Sequence, residues 1–484
     1  MSDRPDGAGR GVDAAGLHVP RYRLPTDAQR DVWDSVRAPG VESVAVPAAD
    51  EDALTMAVAA AERALDAWGA DRSTVTSASL ATTTPPAAEG ALAGRLAAAL
   101  GLDDAVATAD YGGDLLAGAA ALDRALDADG PSLVAVGDAP PGDPGGAGQR
   151  VGAGAAAFVV ADGAAVPVRG RAWHAEEYPG VRYRSAGGDL DGLGVRTYER
   201  EAIRASVTAA VDRLDVAAAD VDAASVHQPH AGAAGRLAGT MDLPEGAHTN
   251  GLVADRIGDA GAAGVAVGLG AALDGRGADE RTLAAFAGSE GGAAAFVFEG
   301  GLDVAGVGGL DGGVTVDYPA AMRLRGELGE PAVAGGGAYV SLPSWKRTLP
   351  ARYRLAAGRC PACDAVAFPA EGACPACDAR VDYESVELDR RGTVAAVTVI
   401  GEGGAPPEFA AYQRRAGPFA TAVVECPAPG GGSARLPAML TDCEPADVAV
   451  GDPVRGAFRR LYAQEGVVRY GTKFVPHPAS HNLL

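Results

Sequence analysis

Through its first 300 residues the chain alternates short apolar runs with stretches in which apolar residues recur every three or four positions. The runs predict buried strands, and the stretches predict helices with one buried face. GLHVPRYRL, from Gly16 to Leu24, reads as a hairpin-like entry followed by a polar helix to about Arg37. In VESVAVPAADEDALTMAVAAAERALDAWG a short strand and an acidic turn lead into the clearest helix, one face of which carries Leu54, Val58, Ala61, Leu65 and Trp68. Asp50 is its expected N-cap, with Glu51 and Asp52 favourable in the first turn. Strands are expected at TVTSASLATTTPP, DAVATADY, PSLVAVGD and VGAGAAAFVVADG, with helices over about 89–100 and 114–127 between them.

A second half repeats this plan: an amphipathic helix over 197–214, a strand ending in ASVHQPH, a Gly/Ala helix over about 261–274 and a closing strand in SEGGAAAFVFEG. Gly154 to Val159 and Gly292 to Val297 are the same six residues, GAAAFV, each closing a half. We read the pair as a remnant of internal duplication. Strands alternating with helices at this rhythm predict a layered α/β body. A chain of 484 residues exceeds one ordinary core. The expected division is two halves, 1–165 and 166–300, a Gly-rich connection over 301–340, a helix with a cysteine-rich segment over 341–385, and a Val/Thr-rich β segment over 386–478.

Charge adds a partition. Asp and Glu number 63 against 41 Lys and Arg, a net of −22, and Lys346 and Lys473 are the two lysines. Such a surface fits a high-salt solvent, where strong negative charge preserves solubility. Residues 345–484 hold 16 Lys and Arg against 15 Asp and Glu, so the negative charge lies on the body. That charge repels nucleic-acid backbones, and nucleic acid ranks last among the expected partners. No apolar run approaches the ~18 residues of a membrane span, and the opening MSDRPDGAGR lacks an apolar core, so a cytoplasmic, membrane-free protein is expected. One basic stretch stands out: no acid lies between Glu330 and Asp364, while Lys346, Arg347, Arg352, Arg354 and Arg359 do, with Trp345 and Tyr353 interleaved. On a helix, 345, 352 and 359 would share a face. The stripe could hold the phosphates of coenzyme A or dock on the chain's own acidic body.

The six cysteines all lie after residue 359. Cys360-Pro-Ala-Cys363 and Cys374-Pro-Ala-Cys377 can bring four thiolates into a tetrahedron, the ligand set of a structural Zn²⁺. Two disulfides are the competing reading, disfavoured where thiols stay reduced. Cys426 and Cys443 lack such partners and read as small core residues.

VPRYRL, the 41–65 run, VHQPH and the duplicated closing strands together resemble the archaeal-type 3-hydroxy-3-methylglutaryl-CoA synthases of the thiolase superfamily, over about residues 15–330. The resemblance implies a duplicated αβαβα fold, a dimer and a CoA-thioester site where the halves meet. Residues 341–478 resemble the zinc-ribbon/OB-fold acyl-CoA-binding proteins that accompany such enzymes, here fused. The synthases transfer an acyl group to a cysteine, with a glutamate acid/base and a His/Asn pair on the thioester oxygen. By position the cysteine falls at Leu115, the glutamate at Thr83 and the asparagine at Asp259, while His227 is retained. Losing one oxyanion donor costs about 10²- to 10³-fold in rate, and losing a nucleophile on the order of 10⁶-fold.

The favoured expectation is therefore a non-catalytic subunit that binds CoA thioesters, as a homodimer or with an active thiolase or synthase. The alternative is an acyltransferase or decarboxylase that works through His227, with Asp259, and without a covalent intermediate.

Overall fold

The apolar runs of the body become strands of one sheet. The computed structural model describes residues 9–185, 188–328 and 340–476. These fall into two units: the described residues up to Pro47 with those of Asp52–Ala321, and Ala48–Glu51 with the described residues from Met322 on. In the first unit the strands are β1 (Gly11–His18), β2 (Ser77–Thr82), β3 (Ala107–Gly112), β4 (Ser132–Asp138), β5 (Gly154–Ala161), β6 (Val166–His174), β7 (Ala223–Val226), β8 (Arg281–Ala287) and β9 (Ala293–Glu299). Their order across the sheet is β7-β8-β9-β6-β1-β5-β4-β2-β3.

The duplication is visible in the pairing. β2 runs parallel to β4, β4 antiparallel to β5 and β5 antiparallel to β1. In the second half β7 runs parallel to β8, β8 antiparallel to β9 and β9 antiparallel to β6. The first copy of GAAAFV opens β5 and the second, from its Ala293 on, opens β9, the same slot of each set, and the sets join where Gly11 and Val12 pair with Pro167 and Val166. Helix α1 (Ala53–Trp68) covers the first set, and α2 (Ala117–Leu126) packs on β2 and β4. Helix α3 (Arg196–Val211) covers the second set. Helix α4 (Ala263–Leu273) touches β5 of one set and β7 and β8 of the other. All but one of its residues are buried, as an apolar-all-round sequence between two layers requires.

Three local expectations are corrected. GLHVPRYRL is not a hairpin: β1 is a central strand against β5, whereas Tyr22–Pro25 pairs with Ser43–Val46 and with Val314–Thr315. The helix that follows spans only Thr26–Arg30. The N-cap of α1 is Asp52, whose side chain accepts from the Thr55 N–H while the Thr55 hydroxyl accepts from the Asp52 N–H. Part of the Gly-rich connection is folded as well, through Val314–Thr315 and the helix Tyr318–Arg325; residues 329–339 lie outside the described residues.

The second unit claims Asp50 and Glu51. Lys473, fully buried, places its ammonium 2.8 Å from Asp50 and 3.7 Å over the Tyr412 ring. Arg459 lies 2.8 Å from Asp442 and 3.3 Å from Glu51. Two short helices, α5 (Leu342–Arg347) and α6 (Leu349–Arg354), precede a three-stranded ribbon of β10 (Ala356–Arg359), β11 (Val366–Ala367) and β12 (Glu384–Glu387). Then come β13 (Arg391–Ile400), β14 (Phe419–Pro427), β15 (Ser433–Met439), β16 (Pro453–Gln464) and β17 (Val467–Pro476), in the order β15-β14-β13-β16-β17. A bridge from Leu440 to Phe474 draws the sheet edges together, giving an OB-like near-barrel around Val424, Leu436, Val454 and Phe474.

Candidate functional site

Two of the four sequence-predicted body positions, Leu115 and His227, line one cavity. It measures about 540 Å³ and is lined by Leu115, Arg150, Arg182, His227 and Ser289 among others. Gly112 ends β3, Gly113 turns the chain at φ +80°, and Leu115 follows before α2 begins. Its N–H donates to the Ser289 hydroxyl at 3.1 Å. The side chain is buried in the body core, so it forms cavity wall and offers no reactive atom. His227 comes one residue after β7, held by its N–H to the Ala285 carbonyl at 2.9 Å. Its ring nitrogens have no hydrogen-bond partner among the described residues. Burial is the main reason its imidazole is pushed down to about 4; Asp259 works the other way, and Arg182 and Arg150 work with burial. The ring is neutral near pH 7.

Asp259 lies beside this wall, buried, with one carboxylate oxygen 2.6 Å from the Arg182 guanidinium. Burial opposes its charge, but Arg182 and Arg150 together hold its carboxyl below the usual carboxylate range. Thr83 does not line the cavity. Its hydroxyl donates to Asp138 at 2.6 Å, and Asp138, fully buried at the end of β4, also takes the Thr82 and Thr84 hydroxyls and the N–H groups of Thr83 (3.2 Å) and Ala262 (2.9 Å). Gly261, at φ +55°, is required there, because a Cβ would stand 2.3 Å from Asp138 Oδ2. The Arg184 guanidinium donates to the Thr83 carbonyl.

A second cavity of about 520 Å³ shares Arg37, Arg150 and Pro229 with the first. It adds Arg196, Arg200 and Arg236, so five arginines face a single lining acid, Glu199. His230, also on this wall, caps the helix Ala231–Thr240 by accepting the Ala233 N–H on Nδ1 at 3.1 Å. Its ring is pushed down to about 4, first by burial and then by Arg150 and Arg236.

In the second unit the four predicted cysteines meet. Cys360 and Cys377 sulfurs are 3.8 Å apart, Cys363 and Cys374 sulfurs 3.7 Å, and all four lie within 4.8 Å of one another. Zn–S bonds of about 2.3 Å at tetrahedral angles set sulfur edges of about 3.8 Å, whereas a disulfide needs about 2.05 Å. The set fits Zn²⁺. Both knuckles fold alike: Asp364 N–H reaches the Cys360 carbonyl and Asp378 N–H the Cys374 carbonyl, with each Asp at positive φ, a conformation Asp tolerates.

The basic stripe is not one helical face. The chain leaves α6 at Leu355, φ +58°, and Arg359 lies on β10, donating to the Pro429 and Gly431 carbonyls. Arg354 pairs with Glu387 and Arg347 with Glu371. Cys426 is buried in β14, as expected of a core residue, and burial pushes its thiol up to about 12.

Comparison with known proteins places these features. A model described as the ChsH2 rubredoxin-like zinc ribbon domain matches residues 347–384, and one described as the ChsH2 C-terminal OB-fold domain matches 385–459. A DUF35 domain-containing scaffold protein of Methanocaldococcus jannaschii is 33% identical over 135 residues, covering 28% of this chain and 88% of the relative. The chain belongs to the DUF35 family. Its DUF35 region follows a body homologous to hydroxymethylglutaryl-CoA synthase: that of Methanopyrus kandleri is 29% identical over 309 residues, 60% of this chain and 87% of the relative. A crystal structure of an HMG-CoA synthase complexed with CoA aligns over 69% of this chain and 94% of its own with a TM-score of 0.61 at 16% identity, a likeness of fold.

In this DUF35 chain sequence reasoning missed Arg182, Arg150 and Asp138. Arg182 stands in an irregular segment with no periodicity, 77 residues from the carboxylate it meets. An arginine cluster in so acidic a chain is the signal that could have found it.

Proposed function

We propose that this chain is a non-catalytic, CoA-thioester-binding relative of hydroxymethylglutaryl-CoA synthase that carries its own DUF35 scaffold domain. The observation that carries the reading is Leu115: where the synthases need a thiol, the cavity wall is a buried aliphatic side chain, and residues 1–359 hold no cysteine. Asp259, tied to Arg182, supplies charge in place of an amide donor, and Thr83 is spent on Asp138. What remains suits holding a ligand. A neutral His227 can donate one hydrogen bond to a thioester oxygen, and the arginine trough next to it supports the phosphates of CoA. The trough is better suited to phosphate than Lys346, Arg347, Arg354 and Arg359, two of which are engaged by glutamates. The M. jannaschii relative is named a scaffold protein; by analogy this cytoplasmic chain would brace a second copy of itself or an active thiolase or synthase. Zn²⁺ on the four cysteines would hold the ribbon together and take no part in chemistry.

The unpartnered imidazole favours one second reading, turnover without a covalent intermediate, with His227 as base. Calorimetric titration in high salt with acetyl-CoA, acetoacetyl-CoA and CoA, with product assayed in the same samples, separates them. Binding without product, weakened by H227A, is expected. Product formation that collapses in H227A would establish the second reading, and absence of binding would refute both.

A further inference from the structure

The second unit contains a cation pair for which no described residue supplies a counter-ion. The Arg352 guanidinium stacks 4.2 Å and the Arg469 guanidinium 4.9 Å from the centre of the same ring, Trp345. Trp345 is buried and Arg469 is only 8% exposed. Arg352 spends its Nε on the Thr348 hydroxyl at 3.0 Å, while the buried Nε of Arg469 has no hydrogen-bond partner. Among the described residues neither guanidinium meets a carboxylate, in a chain with 63 acids to 41 Lys and Arg. Two like charges sharing one ring repel each other, and stacking on the aromatic face offsets only part of that. Burial pulls the Arg352 guanidinium below its ordinary value, and Arg469 adds to the pull.

Arg352 is also a wall of a groove of about 690 Å³, otherwise lined chiefly by apolar groups such as Ala396, Val397, Phe409, Val423 and Met439. Its size and its few polar groups are those of a small-molecule site. We propose that this groove binds the hydrocarbon chain of a fatty carboxylate, with the carboxylate on Arg352, which lines the groove, and the charge of Arg469 on the same ring adding to its attraction. A free carboxylate fits better than a CoA thioester because its charge sits directly on the end of the chain. In a thioester the first negative charge is separated from the acyl carbonyl by the whole pantetheine arm. The site is independent of the Leu115–His227 cavity.

Titrating the full chain with decanoate, decanol and decanoyl-CoA, read by calorimetry, tests it. Decanoate is expected to bind saturably at one per chain, and decanol on the order of tenfold more weakly or worse, the worth of a charged hydrogen bond. R352Q and A396F, the latter filling the groove from an exposed position, should each weaken decanoate on the order of tenfold with unchanged zinc content and far-UV dichroism. R469Q repeats the first arm if R352Q fails to fold. Equal binding of decanol and decanoate, decanoate binding indifferent to these variants, or no saturable decanoate binding would overturn the proposal. Decanoyl-CoA binding that responds to H227A but not to A396F reports the other cavity, so the two readings fail separately.

Discussion

Arg182 and Asp259 form a pair that cannot be changed one side at a time. R182Q strips a buried carboxylate of its paired guanidinium, leaving the Gly261 N–H and the charge of Arg150, and breaking such a pair typically costs about 3–5 kcal/mol. A lower urea midpoint at pH 7 is expected for R182Q, largely recovered in R182Q/D259N. Protonation gives a second handle on this wall. His227 titrates near 6.5 when unfolded and at about 4 when folded, so between those values the unfolded chain binds the extra proton. Its contribution is complete above pH 6.5 and is lost as pH falls toward 4, roughly 3 kcal/mol at most. H227Q should flatten the stability–pH curve in that window, leaving the similar but separate share of His230. Asp259 is silent there, since its carboxyl is held below the usual range and stays ionised.

At the level of elements, periodicity located α1 to within a residue or two, yet misplaced its cap. Asp50 and Asp52 both satisfy capping chemistry, and what separates them is Lys473, more than 400 residues away, which takes Asp50. The same limit explains the basic stripe: a helical wheel carried through Leu355 has no means of seeing the positive φ that turns the chain there. Short motifs with built-in geometry fared better, since Cys-Pro-Ala-Cys fixes both its ligands and its turn. D52A should cost about 1 kcal/mol of stability by removing the cap, read from thermal melts, without changing zinc content. A strong chelator should do the reverse: zinc leaves the ribbon and the second unit loses its near-UV signature, because metal binding and folding of such small segments are one equilibrium. Retention of that signature in metal-free protein would refute a structural role for the ion.

For the molecule as a whole, net charge makes salt a stabiliser. With −22 formal charges, self-repulsion opposes compactness, and screening it should raise the melting temperature steadily between low and molar KCl. The layered architecture was legible because the GAAAFV repeat and the alternation of strands and helices both point to it. Leu115 and His227 line one wall, with Asp259 beside it on Arg182. The pairing of Arg182 with Asp259 on that wall was not visible, because the two lie 77 residues apart in sequence. The Asp138 cage has a consequence for how such a fold could change. With five donors on one carboxylate, the end of β2, the end of β4 and the residues leading into α4 are riveted at a single point. T83E would remove one rivet and set a second negative charge against the first, so a lowered melting temperature without gained activity is expected. A way back to acid/base chemistry would have to rebuild the bracket before it could install the tool, and no single step does both.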